Sequence, residues 1–165
     1  MREILFRGQH RRKGEKVRMG DGEPLPSVWV YGGVLQGPGD FSIIYGGKNP
    51  HNISEGLNKW PVYTDTVGQY TGLKDRNGKR IFEGDIVTGL YDYLRPGVVT
   101  YGRGTYDSGI YVYQGWYVQR KGHNQDHCSL GDIGSDPWSG WVVVGNIHDN
   151  PELLDEVIRL EEDKA

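Results

Sequence analysis

The chain has 165 residues, a net charge of −3 at neutral pH and a single cysteine, Cys128. That length supports a buried core, so neither disulfides nor a structural metal are needed for folding, and one cysteine excludes an internal disulfide. No apolar run is long enough to span a bilayer, and the opening MREILFRGQHRRK has no signal-peptide core, so a cytoplasmic protein with no membrane partner is expected.

Charge is polarised along the chain. Residues 1–20 carry seven Lys/Arg against two acids, and residues 149–165 carry seven acids against two bases. The basic segment can meet phosphate or an acidic tail, although a solvated surface is the plainer reading of any charge run. Glycine is abundant, at 26 residues, and accompanies eleven tyrosines and five tryptophans. Without a fixed repeat period, such glycines mark tight connections between short aromatic and β-branched strands, which indicates a β-barrel or sandwich.

REILFRG (2–8) alternates with Ile4 and Phe6 on one face and predicts an opening strand. Residues 9–27 read as a charged loop. VWVYGGVLQG (28–37) predicts a strand broken by Gly32-Gly33, and DFSIIYGG (40–47) predicts another. Residues 48–60 read as a connection and 61–72 as extended chain. In KDRNGKR (74–80), Asn77-Gly78 supplies the positive φ angles of a tight hairpin turn, and Glu83-Gly84-Asp85 predicts a sharp corner. PGVVTY (96–101) and GIYVYQGWYV (109–118) are further strands, followed by a long polar connection over 119–140 and a buried-looking strand, WVVVGNI (141–147). Asn150 as N-cap, Pro151 at the first helical position and Glu152 in the first turn predict a C-terminal helix. Leu153, Leu154, Val157 and Ile158 would form its apolar packing stripe.

Four blocks, REILFRG, WVYGGVLQG (29–37), TVGQYTGLKDRNGKRIFEGDIV (66–87) and VVGNIHDNPELL (143–154), together resemble the YopX-like proteins of bacteriophages and prophages. The resemblance implies a small β-rich protein with an SH3-type barrel, oligomers and a phage origin, and it supplies no catalytic residues. Residues 88–140 and 9–27 match no family pattern. The expected architecture is therefore mainly β (α+β): an N-terminal β-rich subdomain over 1–66, an SH3-like small β-barrel over 67–150, and a C-terminal amphipathic helix over 151–165.

Chemistry-bearing constellations are sparse. His123, Asp126, His127 and Cys128 are acceptable zinc ligands, but no second ligand pair stands elsewhere and the i, i+4 spacing needs a helix that the nearby glycines oppose. A polar surface loop is the better reading, and no metal or other cofactor is expected. His148 and Asn150 flank the expected helix start, where free N–H groups would favour an anion, while capping is the plainer duty. Glu83 and Asp85 could form an acid–base pair, yet corner carboxylates more often accept from turn N–H groups. DRNG lacks the remaining ligands of a calcium loop, and the glycine-rich stretches lack a phosphate-loop ending.

The remaining signal is aromatic. Tyr91, Tyr93, Tyr101, Tyr106, Tyr111, Tyr113, Trp116 and Tyr117 interleave with Arg95, Arg103, Arg120 and Lys121. Such a surface can anchor a protein partner or stack bases, and cross-strand packing will consume part of it. Gln69, Tyr70, Arg95, Arg103, Tyr106, Trp116, Arg120 and Trp138 are the candidate interaction residues. The expected function is a non-enzymatic interaction or assembly module that self-associates or binds a phage or host protein. A nucleic-acid-binding barrel acting in phage replication or regulation is the alternative, and a metal-assisted hydrolase at His123, His127 or His148 stands third.

Overall fold

The computed structural model describes residues 3–15, 26–37, 39–46, 58–89, 92–106, 111–120, 127–129 and 140–155. Among them are eleven strands: β1 (Phe6–Arg11), β2 (Val28–Leu35), β3 (Phe41–Tyr45), β4 (Lys59–Tyr63), β5 (Gly68–Lys74), β6 (Arg80–Phe82), β7 (Asp85–Gly89), β8 (Asp92–Tyr106), β9 (Tyr111–Gln119), β10 (His127–Ser129) and β11 (Val142–Asn146). Two 3₁₀ turns, Thr64–Thr66 and Pro151–Leu154, are the remaining regular elements described. The chain divides into two compact units, Met1–Tyr70 and Thr71–Ala165.

In the first unit the strand order is β4-β3-β2-β1-β5, all antiparallel where their registers are defined. Val30, Ile44 and Val62 are fully buried at its centre, with Phe6, Val34, Trp60 and Val67 packed around them. The Gly32-Gly33 pair does not break β2, as the sequence suggested. It marks a change of partner: Gly32 pairs with Phe6 of β1, and Gly33 pairs with Tyr45 of β3. A Cβ at Gly32 would lie 1.8 Å from the Tyr45 carbonyl oxygen, so the glycine admits a backbone approach that any side chain would forbid. At the far end of β1, the Gln9 N–H donates to Thr66 Oγ1 (2.8 Å), whose hydroxyl donates to the Tyr63 carbonyl (2.7 Å).

The second unit contains a sheet of order β10-β9-β8-β7-β11, and β6 pairs beside the part of β5 that belongs to this unit. Its core joins Ile81, Val87, Val99, Val118, Trp141 and Val143, flanked by Leu73 and Trp116. The expected SH3-like barrel is corrected here: among the described residues the sheet is open, with β10 and β11 at its two edges. The cause lies in β8, which divides its length between two partners. Val98 pairs with Ile86 of β7 at one end of the β7 ladder, whereas the stretch from Val98 to Tyr106 pairs with Gln119 to Tyr111 of β9. The β8–β9 ribbon thus runs on past the end of β7 and does not curl back to close the sheet.

The expected C-terminal helix over 151–165 is not supported by its described part, and residues 156–165 lie outside the described residues. Among the described residues the chain makes only a four-residue 3₁₀ turn, Pro151–Leu154, closed by i→i+3 bonds from Leu153 N–H to Asn150 O and Asp155 N–H to Glu152 O. The Asn150 side chain makes no capping bond. In the turn that precedes Pro151–Leu154, Asn146 Oδ1 accepts from the N–H groups of both His148 and Asp149 at 3.0 Å. The chain turns there before a helical register begins. Leu153 and Leu154 are half-buried, and Val157 and Ile158 lie outside the described residues.

The KDRNGKR turn is held by Asp75, whose side chain is only 7% exposed. Its Oδ1 accepts from the N–H groups of Asn77 and Lys79, both at 2.8 Å, and its Oδ2 accepts from Val143 N–H of β11 at 3.1 Å. The turn closes from Gly78 N–H to Asp75 O (2.9 Å), which places Arg76-Asn77 at the corner and Gly78, at φ +81°, just after it. This is the turn-plus-bulge form of hairpin; the two-residue form centred on Asn77-Gly78 is not the one adopted. Asp85 behaves as the corner reading expected: it is buried, and its Oδ2 accepts from Phe82 N–H at 2.8 Å.

Removing the Asp75 carboxylate leaves three N–H groups without their acceptor. Asp75→Ala is therefore expected to lower the unfolding free energy by about 3 kcal/mol, measured by urea denaturation. A loss below about 1 kcal/mol would show that the turn and β11 are held by apolar packing alone.

Candidate functional site

The alternation of β8 and β9 sets a row of residues along one face of their ribbon. It begins with Val99 opposite Val118, both fully buried in the second core. Next comes Tyr101 opposite Trp116, and then Arg103 opposite Gln114. Exposure rises along the row: Trp116 is half-buried against the core, Tyr101 is 54% exposed, and Arg103 and Gln114 are both exposed. The Tyr101 and Trp116 rings meet edge-on, with centroids 5.0 Å apart and planes at 65°, a favoured aromatic geometry. The buried Trp116 Nε1–H finds no acceptor among the described residues.

The other sequence candidates separate. Tyr70 is buried at 5% exposure, its N–H bonded to Leu5 O at 2.8 Å, so it offers no outward surface. Gln69 is half-buried opposite Phe6 of β1. Arg120 is half-buried, its Cγ close to the backbone of Gly97, and does not stand out to track a backbone of phosphates. Tyr117, from the same aromatic run, is buried. Arg95 and Tyr106 lie on β8, but their side chains, like those of His127 and Cys128 on β10, are outside the description, as are residues His123 and Trp138 altogether. His127 and Cys128 sit on a strand paired with Gln119 and Val118, not on the helix that a His-x-x-x-His spacing requires. At His148 and Asn150 the backbone N–H groups are already engaged, by Asn146 Oδ1 and Asn146 O respectively.

A second surface, in the first unit, was not singled out from the sequence. The Arg12 Nη2 lies 2.8 Å from both carboxylate oxygens of Asp65, and its guanidinium sits 4.2 Å from the centroid of the Tyr63 ring. On its other flank Tyr63 meets Phe41, centroids 5.0 Å apart. Glu15 completes the group, accepting the Tyr63 hydroxyl at 3.1 Å through Oε1 and the Arg12 N–H at 3.0 Å through Oε2. Arg12, Phe41, Tyr63 and Asp65 border an open cleft of about 650 Å³, together with Gly39, Asp40 and Thr64. Arg12 and Asp65 are 53 positions apart, so no local spacing announces them.

Both surfaces belong to a mainly β protein built from antiparallel sheets, without any helix among the described residues that is long and apolar enough to cross a membrane. The family model described as "YopX protein" matches residues 42–155, and the chain belongs to that family. Of solved structures, the chain is similar to a crystal structure of protein EF1440 from Enterococcus faecalis, at 28% identity over 68% of this chain and 74% of that one, with a TM-score of 0.34. No curated protein matches the chain.

Tyr63 has a raised pKa, first through partial loss of hydration and then through its bond and proximity to the Glu15 carboxylate, against an opposing pull from Arg12. Stabilisation from the protonated phenol is therefore complete below the ordinary tyrosine pKa of ~10 and is lost as pH rises through the higher folded value. In an ultraviolet pH titration, Glu15→Gln is expected to bring the Tyr63 transition down towards that ordinary value. An unchanged transition would mean the carboxylate does not hold the phenol.

Proposed function

We propose that the protein is a phage- or prophage-encoded module that works by binding another protein, its own copies included, and performs no catalysis. The observation that carries this reading is the exposed stretch of the β8–β9 ribbon where Tyr101, backed by Trp116, continues into Arg103. Tyrosine, tryptophan and arginine are the residues most often found to dominate binding energy, and here they adjoin a rigid core instead of a loose loop. A cytoplasmic setting follows from the same reading.

The nucleic-acid alternative shares the Tyr101 ring as a stacking platform. It needs basic side chains along a backbone path, yet the chain carries a net charge of −3 and Arg120 is half-buried. Protein binding is the better fit.

The test compares wild-type protein with Tyr101→Asp/Arg103→Glu, two changes on exposed side chains that leave the core intact. Light scattering and capture from prophage-induced cells should both lose their bound species in the variant while the thermal unfolding midpoint stays unchanged. Identical assemblies and captured proteins for both forms would reject the ribbon as the interface. A salt-sensitive mobility shift with single-stranded DNA or RNA, lost in the variant, would favour the nucleic-acid alternative.

A further inference from the structure

Two aromatic residues and two carboxylates line the cleft of the first unit: Tyr63 with Asp65, and Phe41 with Asp40. In the first pair the Arg12 guanidinium lies over the Tyr63 ring at 4.2 Å and contacts both oxygens of Asp65 at 2.8 Å. That geometry combines stacking of the planar cation on a ring with pairing of one terminal nitrogen, Nη2, to both oxygens of a carboxylate. In the second pair, Phe41 presents a ring that is 53% exposed, next in sequence to Asp40. The Asp40 carboxylate is exposed and makes no hydrogen bond or ion pair to any described residue.

The backbone beneath this second pair is pinned. Asp40 O accepts from Thr64 N–H at 2.8 Å, Gly39 O accepts from the Thr64 hydroxyl at 3.3 Å, and Ser42 Oγ lies 3.0 Å from Thr64 Oγ1. Phe41 is further braced against Tyr63. The pair is thus held in place by main-chain and ring contacts while its carboxylate and ring face stay accessible. Among the described residues that line the cleft, Asp40 and Asp65 are acidic and Arg12 is the cation, already paired with Asp65. Phosphates and nucleic acids are disfavoured there, and a cation is favoured.

We propose that Asp40 and Phe41 form a seat for an arginine side chain of a partner polypeptide, stacked on Phe41 and paired with Asp40, beside the seat that Arg12 fills from within the chain. The inference uses residues of the first unit only and stands whether or not the β8–β9 ribbon is an interface. Each contact is weak when solvated, so a lone arginine binds in the millimolar range and a peptide gains affinity from its flanking residues.

The probe is Nα-acetyl-arginine amide titrated into the full chain and followed by NMR, with the neutral isostere Nα-acetyl-citrulline amide as its control. Saturable shifts of the Phe41 and Tyr63 ring resonances are expected with the arginine probe alone. Asp40→Asn should weaken them by about fivefold with an unchanged unfolding midpoint, because its side chain bears no structural bond. Phe41→Leu, which keeps an apolar group but removes the ring, should weaken binding again. Equal shifts from the citrulline probe, no saturable shift at all, or full binding by both variants would each overturn the proposal.

Discussion

A single carboxylate organises the second unit. Asp75 joins three N–H groups, two within its own turn and a buried one on Val143, 68 residues further along. Only an ionised carboxylate offers acceptors in all these directions; an amide in the same place would turn a donor towards one of the three. The reverse link runs alongside it, from Arg76 N–H to Trp141 O at 2.9 Å. Closing so long a loop costs chain entropy, and burial of Trp141 and Val143 among Ile81, Val87, Val99 and Val118 offsets it. The directional bonds decide where β11 lies, and the apolar core makes that position stable. Asp85 repeats the device on a smaller scale by holding Phe82 N–H at the next corner.

The same division of labour explains how the chain's polar groups sort themselves. The side chains of Asp75, Asp85, Thr66 and Thr71 are buried and spend their capacity on backbone groups close at hand or far along the chain. TVGQYTGLKDRNGKRIFEGDIV, the most recognisable stretch, is consumed almost wholly by this internal wiring. Even Tyr70 within it is buried. Specific sequence here means specific construction.

Local interactions were legible in the sequence, and partner choice was not. The Glu83-Gly84-Asp85 corner and most strands follow from residues a few positions apart. Gly32-Gly33 looked like an interruption because a glycine pair permits a bend; its actual role depends on Tyr45 arriving from another strand. Pro96 suggested the start of a strand, yet β8 begins at Asp92 and passes through it. The proline is tolerated because it falls in the irregular step between the pairs Gly89↔Asp92 and Val87↔Gly97, where the ladder to β7 is out of register. The Asn150-Pro151-Glu152 signature marked a real turn, but among the described residues it yields only the 3₁₀ turn Pro151–Leu154, without a side-chain cap. The barrel was inferred from family likeness, and the open sheet follows from the unequal reach of β7 and β9 along β8.

Stability arguments also separate structural polar residues from recognition residues. Arg12 and Asp65 form an ion pair with side chains 49% and 62% exposed, and such solvated pairs contribute only about 0–1 kcal/mol. The first core of Val30, Ile44 and Val62 does not depend on them. Tyr101 and Arg103 likewise lie beyond the last buried pair of their ribbon, Val99 and Val118. Both groups keep a fixed geometry because rings and main chain brace them, while contributing little to the fold they stand on. A residue held rigidly but not needed for folding gives up little conformational entropy on contact, so more of its interaction energy reaches the partner. That combination, absent at Asp75 and present at Tyr101 and Phe41, is the physical ground on which we propose these two surfaces as places of contact.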